Sequence, residues 1–194
     1  MIAYQEYRGQ EISAQLAELA KLRIAVFREF PYLYEGSLEY EQEYLKFLPA
    51  SASSFLVLAR EGDQVVGAST ALALADEGAE FRQPFEQAGL PLEQYYYFGE
   101  SILLPGYRGQ GAGHRFFDLR EAEAKRLGFP NSCFCRVLRA EDHPLRPADY
   151  RPLDTFWSRR GYVRRPELLT GYPWPDLGET EDSVKTMEFW TREL

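Results

Sequence analysis

Histidine, cysteine and methionine each occur only twice in this chain of 194 residues. His114 and His143 show no metal-ligand spacing with Cys133 and Cys135, so no metal is expected. The cysteines lie in a segment that alternates Cys133, Cys135 and Val137 with Phe134, Arg136 and Leu138. They read as small buried apolar residues whose side chains, expected on opposite faces of the strand, do not pair, which fits a reducing cytoplasm. Basic residues are in the minority, 22 against 30 acidic ones. The resulting net charge of −8 argues against nucleic-acid binding, which needs a basic surface, and favours a cationic partner. Long apolar runs are missing too. The uncharged stretch around 65–75 is too short to span a bilayer, and the first six residues lack the basic and apolar regions of a secretory signal. No membrane partner is therefore expected. Nor does any serine, histidine and acid follow a nucleophile-elbow order.

What the chain does have is apolar and aromatic bulk. At 45% hydrophobic and 15% aromatic it can fill the core of a single domain over residues 1–194. The stretch Tyr95 to Phe129 organises the rest. Ten residues, seven of them aromatic or aliphatic, read as a buried strand, and Pro105-Gly106 ends it. Gly109, Gly111 and Gly113 then leave backbone amides bare at the start of a helix, where unpaired N–H groups and the helix dipole favour an anion. Arg108 adds a positive charge. The helix that follows puts Ala112, Phe116, Phe117, Ala124 and Leu127 on one side, with Arg115, Asp118, Glu121 and Lys125 on the other. A triphosphate loop would need Gly-Lys-Ser/Thr, but Gly113 is followed by His114 and Arg115. A dinucleotide fingerprint would need a third glycine where His114 stands.

The string Arg108-x-x-Gly111-x-Gly113, with the Pro105-x-Tyr107-Arg108-Gly109 approach before it, resembles the acyl-coenzyme A loop of the GNAT superfamily of N-acyltransferases. A second segment, Phe156-Trp157-Ser158-Arg159-Arg160-Gly161-Tyr162, is similar to another signature of that family. The resemblance implies an α/β (α+β) fold with a mixed, mostly antiparallel sheet of six to seven strands flanked by helices. It also implies acetyl transfer from acetyl-CoA to a primary amine of an unidentified small-molecule or peptide acceptor, in a direct ternary complex. The backbone at Ser101, Ile102 and Leu103 is expected to pair with the pantetheine arm, and the amides of Arg108, Gly109, Gln110, Gly111, Ala112, Gly113 and His114 to take the pyrophosphate.

Around this centre the chain reads as a strand at 2–7 and a helix from Ser13 to Phe30, stopped by Pro31. Arg23 sits within that helix's apolar stripe, where snorkelling or ion pairing would account for it. An aromatic loop, 31–36, precedes a short helix capped by Ser37. Strands at 54–60 and 64–74 form a hairpin over Glu61-Gly62-Asp63. A long connection, 75–94, contains a short helix from Arg82 to Ala88. Strands at 132–139 and 184–191 and a short helix ending at Gly161 complete the pattern.

For the acceptor, the family places the segment between the first two helices at one wall of the pocket. Tyr32, Tyr34 and Glu35 are the candidates there, with Tyr97 from the central strand. Glu100, the only carboxylate in that strand, is the candidate base, with a salt bridge to an arginine such as Arg136 as the structural alternative. A bulge is expected in that strand. The family's thiolate-protonating tyrosine is replaced by Trp157, leaving Tyr150, Tyr162 or unassisted departure. Two rivals remain open: a longer acyl-CoA, or a non-catalytic coenzyme A sensor. Oligomeric state, a homodimer included, is left open.

Overall fold

The computed structural model describes residues 1–194. Its centre is one sheet of seven strands: β1 (Ala3–Arg8), β2 (Phe55–Glu61), β3 (Gln64–Ala73), β4 (Tyr95–Leu103), β5 (Asn131–Val137), β6 (Val163–Trp174) and β7 (Ser183–Glu193), in the order β1-β2-β3-β4-β5-β7-β6. Every neighbouring pair is antiparallel except β4 with β5. The sequence pattern missed β6, because Pro166, Pro173 and Gly171 interrupt it. It is the sheet's outer strand, where a missing N–H costs no ladder bond, and it is irregular between Arg165 and Leu169.

The helices divide between the two faces. Ile12, Leu19 and Leu22, from the start of the chain and from α1 (Leu16–Phe27), share one core with Leu56, Leu58, Tyr95 and Tyr97. Helix α5 (Ala112–Arg126) places Phe116, Phe117 and Ala124 in the other, with Tyr96, Phe98 and Phe134. A strand's period of two explains the division, and it puts Cys133 and Cys135, two apart, together on the first face and not on opposite ones as expected, both reduced.

Helix boundaries depart from the sequence pattern at three places. Residues Gly9–Gln15 form a 3-10 segment, and α1 ends at Phe27, ahead of the restriction that Pro31 imposes. The segment after Ser37 is two pieces, α2 (Leu38–Tyr44) and the single turn α3 (Phe47–Ala50). The helix in the long connection, α4 (Ala79–Gln87), starts three residues earlier than expected and buries Phe81 and Phe85. Pro84 lies inside α4 and cannot bond the Glu80 carbonyl. The Thr170 hydroxyl of β6 donates to that carbonyl instead, at 2.6 Å, and ties the outer strand to the helix. The last helix, α6 (Asp154–Arg159), precedes Gly161, whose φ of 85° is the left-handed conformation that favours glycine. No helix is long and apolar enough to cross a membrane.

Candidate active site

β4 and β5 run parallel but pair only from Tyr95 with Asn131 to Tyr97 with Cys133. Beyond that point β4 stays bonded to β3 and β5 to β7, so the two strands part. A cleft of about 740 Å³ opens between them, walled by β4, the glycine loop, the start of α5, β5 and α6. On the cleft side, β4 from Phe98 onward has no strand partner. This free edge is available to an extended ligand as an added strand would be.

A bulge lies where the strands part. Ser69 faces Ser101 and Ala71 faces Phe98, so Thr70 stands opposite both Gly99 and Glu100. The extra residue reverses the alternation. Before it, Tyr95 and Tyr97 face α1; after it, Ile102 does. Glu100 therefore turns toward α1, whereas strict alternation would send it toward α5 with Tyr96 and Phe98. The bulge is fixed from both sides. The Thr70 hydroxyl accepts the Glu100 amide at 3.2 Å. Arg120, 2% exposed, donates to the carbonyls of Thr70 and Glu100 at 3.3 Å and to Ser101 Oγ at 2.7 Å. With no carboxylate bonded to it, burial pushes the Arg120 guanidinium down to about 10. A Cβ on Gly99 would stand 2.6 Å from Thr70 Oγ1. Gly99→Val is accordingly expected to cost about 1–3 kcal/mol of stability, read by urea denaturation, and to depress any activity that needs Glu100 in place.

The glycine loop borders the cleft through Arg108, Gly109, Gly111, Gly113 and His114, and the strand through Ser101, Ile102 and Leu103. Ile102 is otherwise core, 1% exposed. Gly109 and Gly111 have φ of 74° and 88°, and Gly111 is the N-cap of α5. Arg108 Nε donates to the Leu103 carbonyl at 3.0 Å while its Nη1 pairs with Glu29 at 2.7 Å, bridging the loop to the segment after α1. Gln110 turns its side chain back to the Gly106 carbonyl, and Ala112 is buried beneath the helix start; neither side chain borders the cleft. His114 is exposed, 3.3 Å from Arg160 and packed on Phe156.

At its inner end the cleft meets a second cavity of about 100 Å³, both bordered by Phe27, Tyr32, Gly99 and Glu100. The second cavity is aromatic. Tyr32, Tyr34 and Tyr97 line it, as do Tyr44, Tyr172 and Trp174. Its polar floor is an arginine between two glutamates. Arg23 Nε reaches Glu41 Oε2 and Arg23 Nη1 reaches Glu100 Oε2, both at 2.5 Å. Burial works against the Arg23 charge, but Glu100 and Glu41 hold its pKa above the ordinary arginine value. The second oxygen of each glutamate is buried without a hydrogen-bond partner. Glu77, at the end of the 3-10 turn Leu74–Asp76, also borders the cavity. Burial, then the charges of Glu100 and Glu80, push its carboxyl up to about 7 against the opposing Gly78 amide and Arg23.

The sequence-derived candidates thus separate. Tyr32, Tyr34, Tyr97 and Glu100 converge on the cavity. Glu35 does not line it; it is exposed and pairs with Arg28 on the surface. The partner of Glu100 is Arg23, not Arg136, which binds Asp154 and Glu188. Tyr162 is removed from the cleft, buried between Ser132 and Glu121, whereas Tyr150 borders it beside Phe30. Trp157 borders it too, packed on Phe134 and Trp190.

Glu41 and Glu77 were not anticipated. A signal for Glu41 exists, since Glu41, Leu45 and Leu48 share one buried face, a carboxylate in an apolar stripe that answers Arg23 in the stripe of α1. Nothing local marks Glu77. It borders the cavity together with Phe81 of α4 and Tyr172 of β6.

No protein-family model matches the chain, and no curated protein matches it in sequence. Solved structures do match in fold. A Staphylococcus aureus acetyltransferase of the GNAT family aligns with a TM-score of 0.58 at 13% identity, over 100% of this chain and 99% of that one. A ribosomal-protein-alanine N-acetyltransferase from Brucella melitensis aligns with 0.61 at 13% identity, over 98% and 99%. The PaiA N-acetyltransferase of Thermoplasma acidophilum, in complex with coenzyme A, aligns with 0.56 at 10% identity, over 100% and 99%.

Proposed function

We propose that this chain, which has the GNAT fold, is an N-acyltransferase that moves an acetyl group from acetyl-CoA to a primary amine held in the aromatic cavity. One observation carries the reading: the cleft between the parted strands and the cavity under α1 meet at Glu100, so a thioester in one and an amine in the other would share that residue. Coenzyme A, present in the Thermoplasma neighbour, fits the elements of the cleft. The free edge of β4 suits the amide-bearing arm, and the bare amides at the start of α5 suit the diphosphate.

Direct transfer needs no covalent enzyme intermediate. The ammonium loses a proton, and its nitrogen attacks the thioester carbonyl carbon. The C–S bond then breaks with its electron pair on sulfur, and the thiolate takes up a proton. A β4 amide at the bulge is the candidate donor to the developing oxyanion. Of the two tyrosines that border the cleft, Tyr32 and Tyr150, Tyr150 is the candidate proton donor to the thiolate. Burial holds its proton more firmly than in water, and Arg146 and Arg136 oppose that shift.

Trp157 in the place of a tyrosine favours one alternative, a coenzyme A sensor without turnover. Acetyl-CoA is expected to raise the melting temperature and, with an amine, to release free thiol. Stabilisation without thiol release from any primary amine would select the sensor, and no stabilisation would reject both.

A further inference from the structure

Burying a carboxylate oxygen with no donor is expensive, and the aromatic cavity holds two of them within one ion-pair cluster. Glu41 is 0% exposed and gives one oxygen to Arg23, and its buried Oε1 makes no hydrogen bond of good geometry, the neutral Tyr34 hydroxyl being the donor that lies against this carboxylate. Glu100 repeats the arrangement, with Oε2 on Arg23 and Oε1 buried and unbonded. The surroundings contain one cation, Arg23, and three carboxylates, Glu41, Glu77 and Glu100. That cation is already committed to two of them.

Such a site lacks a second cation for its carboxylates, since Arg23 apart its donors are neutral hydroxyls, and an alkylammonium supplies three N–H donors and a positive charge that aromatic faces also attract. A substrate carboxylate, by contrast, would meet no free cation and would add to an existing negative excess. The size is limiting as well. At about 100 Å³ the cavity is smaller than the ~150 Å³ that accommodates a benzene ring, so the buried part is a short aliphatic stem.

The proton must also go somewhere. Glu100 is engaged by Arg23 and by its place at the bulge, whereas Glu77 touches no cation. Its Oε2 accepts only its neighbour's amide, from Gly78 at 3.0 Å. The charged and titratable groups that act on it come from every wall: Arg23 of α1, Glu80 of α4 and Glu100 of β4 on its own charge, with Tyr44 of α2, Tyr97 of β4 and the two β5 cysteines in turn feeling it.

We propose, resting on the acyltransferase reading, that Glu41 and Glu100 bind the ammonium of a short-chain aliphatic amine that carries no carboxylate, and that Glu77 takes the proton it gives up. The balance is RNH₃⁺ + CH₃CO–S–CoA → RNH–COCH₃ + CoA–SH + H⁺. One ammonium proton passes to the Glu77 carboxylate and on to water, the N–C bond forms as C–S breaks, and the second nitrogen proton is matched by the one that ends on sulfur. A carboxyl that titrates near neutrality is suited to that task.

Calorimetry on the wild-type protein compares propylamine with β-alanine, which has the same chain length and a carboxylate in place of the methyl group. Propylamine is expected to bind at least tenfold more tightly. Equal or tighter binding of β-alanine would overturn the proposal, with no variant needed. Glu77→Gln should still bind propylamine but lose about 10²-fold or more in kcat/KM, and the rise in kcat/KM as pH increases through about 7 should disappear. Retention of the wild-type rate and rise would remove Glu77 from the chemistry. Glu41→Gln should weaken propylamine at least tenfold while acetyl-CoA still raises its melting temperature, and unchanged propylamine affinity would contradict the binding role. Acetyl-CoA stabilisation is measured in the same samples. Its absence would refute the acyltransferase reading, whereas the amine affinities judge this inference separately.

Discussion

Replacing Arg23 with methionine is expected to destabilise the protein by about 3–5 kcal/mol at pH 8. The guanidinium is nearly buried and is the hydrogen-bond donor to both Glu41 and Glu100. Removing one member of a buried ion pair leaves the others as uncompensated charges, which costs more than the pair itself contributed. Here two carboxylates would be stranded together. Methionine fills most of the volume and sits against Phe27 and Tyr44, the rings that Arg23 now covers, so lost packing contributes little. Acidification separates charge from packing. A neutral carboxyl is much cheaper to bury than an unpaired carboxylate, so the deficit against wild type should shrink between pH 8 and pH 5. Denaturant unfolding at the two pH values reads both effects. A deficit under about 1 kcal/mol at pH 8, or one that grows on acidification, would show that the cluster is not what secures α1 to the bulge.

The second large effect is expected at the loop. Gly111 has a φ of 88° and nothing within contact distance of the place a Cβ would occupy. A valine there meets no wall, so its cost is conformational, about 1–2 kcal/mol for a left-handed residue. The chain can avoid that cost by moving to negative φ, which would turn the amides at the start of α5 away from the cleft. Gly111→Val is therefore expected to weaken acetyl-CoA at least tenfold and to abolish its thermal stabilisation, with propylamine affinity unchanged. Gly106→Ala is the control. Its site is also open, its φ is ordinary, and it lies before the cradle, so coenzyme affinity should stay within about twofold. Equal loss in both variants would point to general loosening of the loop.

The sequence made the central unit legible because its signals are local. An apolar run, Pro105-Gly106, alternating glycines and an amphipathic helix lie within 35 consecutive residues, and β4, the glycine loop and α5 follow them. The first strand, the hairpin and β7 were legible for the same reason. β6 was not, because its prolines are tolerated only by an outer strand, and a strand's place in the sheet is a property of the whole fold. The cavity was half legible. Tyr32, Tyr34, Tyr97 and Glu100 border one cavity, but Glu35, one residue past Tyr34, points to solvent and the surface Arg28. The cluster Arg23–Glu41–Glu100 joins residues 18 and 77 positions apart. Arg23 and Glu100 read as isolated charges in an apolar helix stripe and an apolar strand, Glu41 was not singled out, and the bulge turns Glu100 into reach of Arg23.

The central claim is that the parted edge of β4 and the amides at the start of α5 form one binding surface for an acylated coenzyme. A crystal structure with acetyl-CoA tests it most directly. The account predicts the diphosphate against the amides of residues 108–114, the arm along β4 between Phe98 and Leu103, and the acetyl group at Glu100. A ligand bound elsewhere, or a cleft that stays filled by its own side chains at saturating acetyl-CoA, would contradict it.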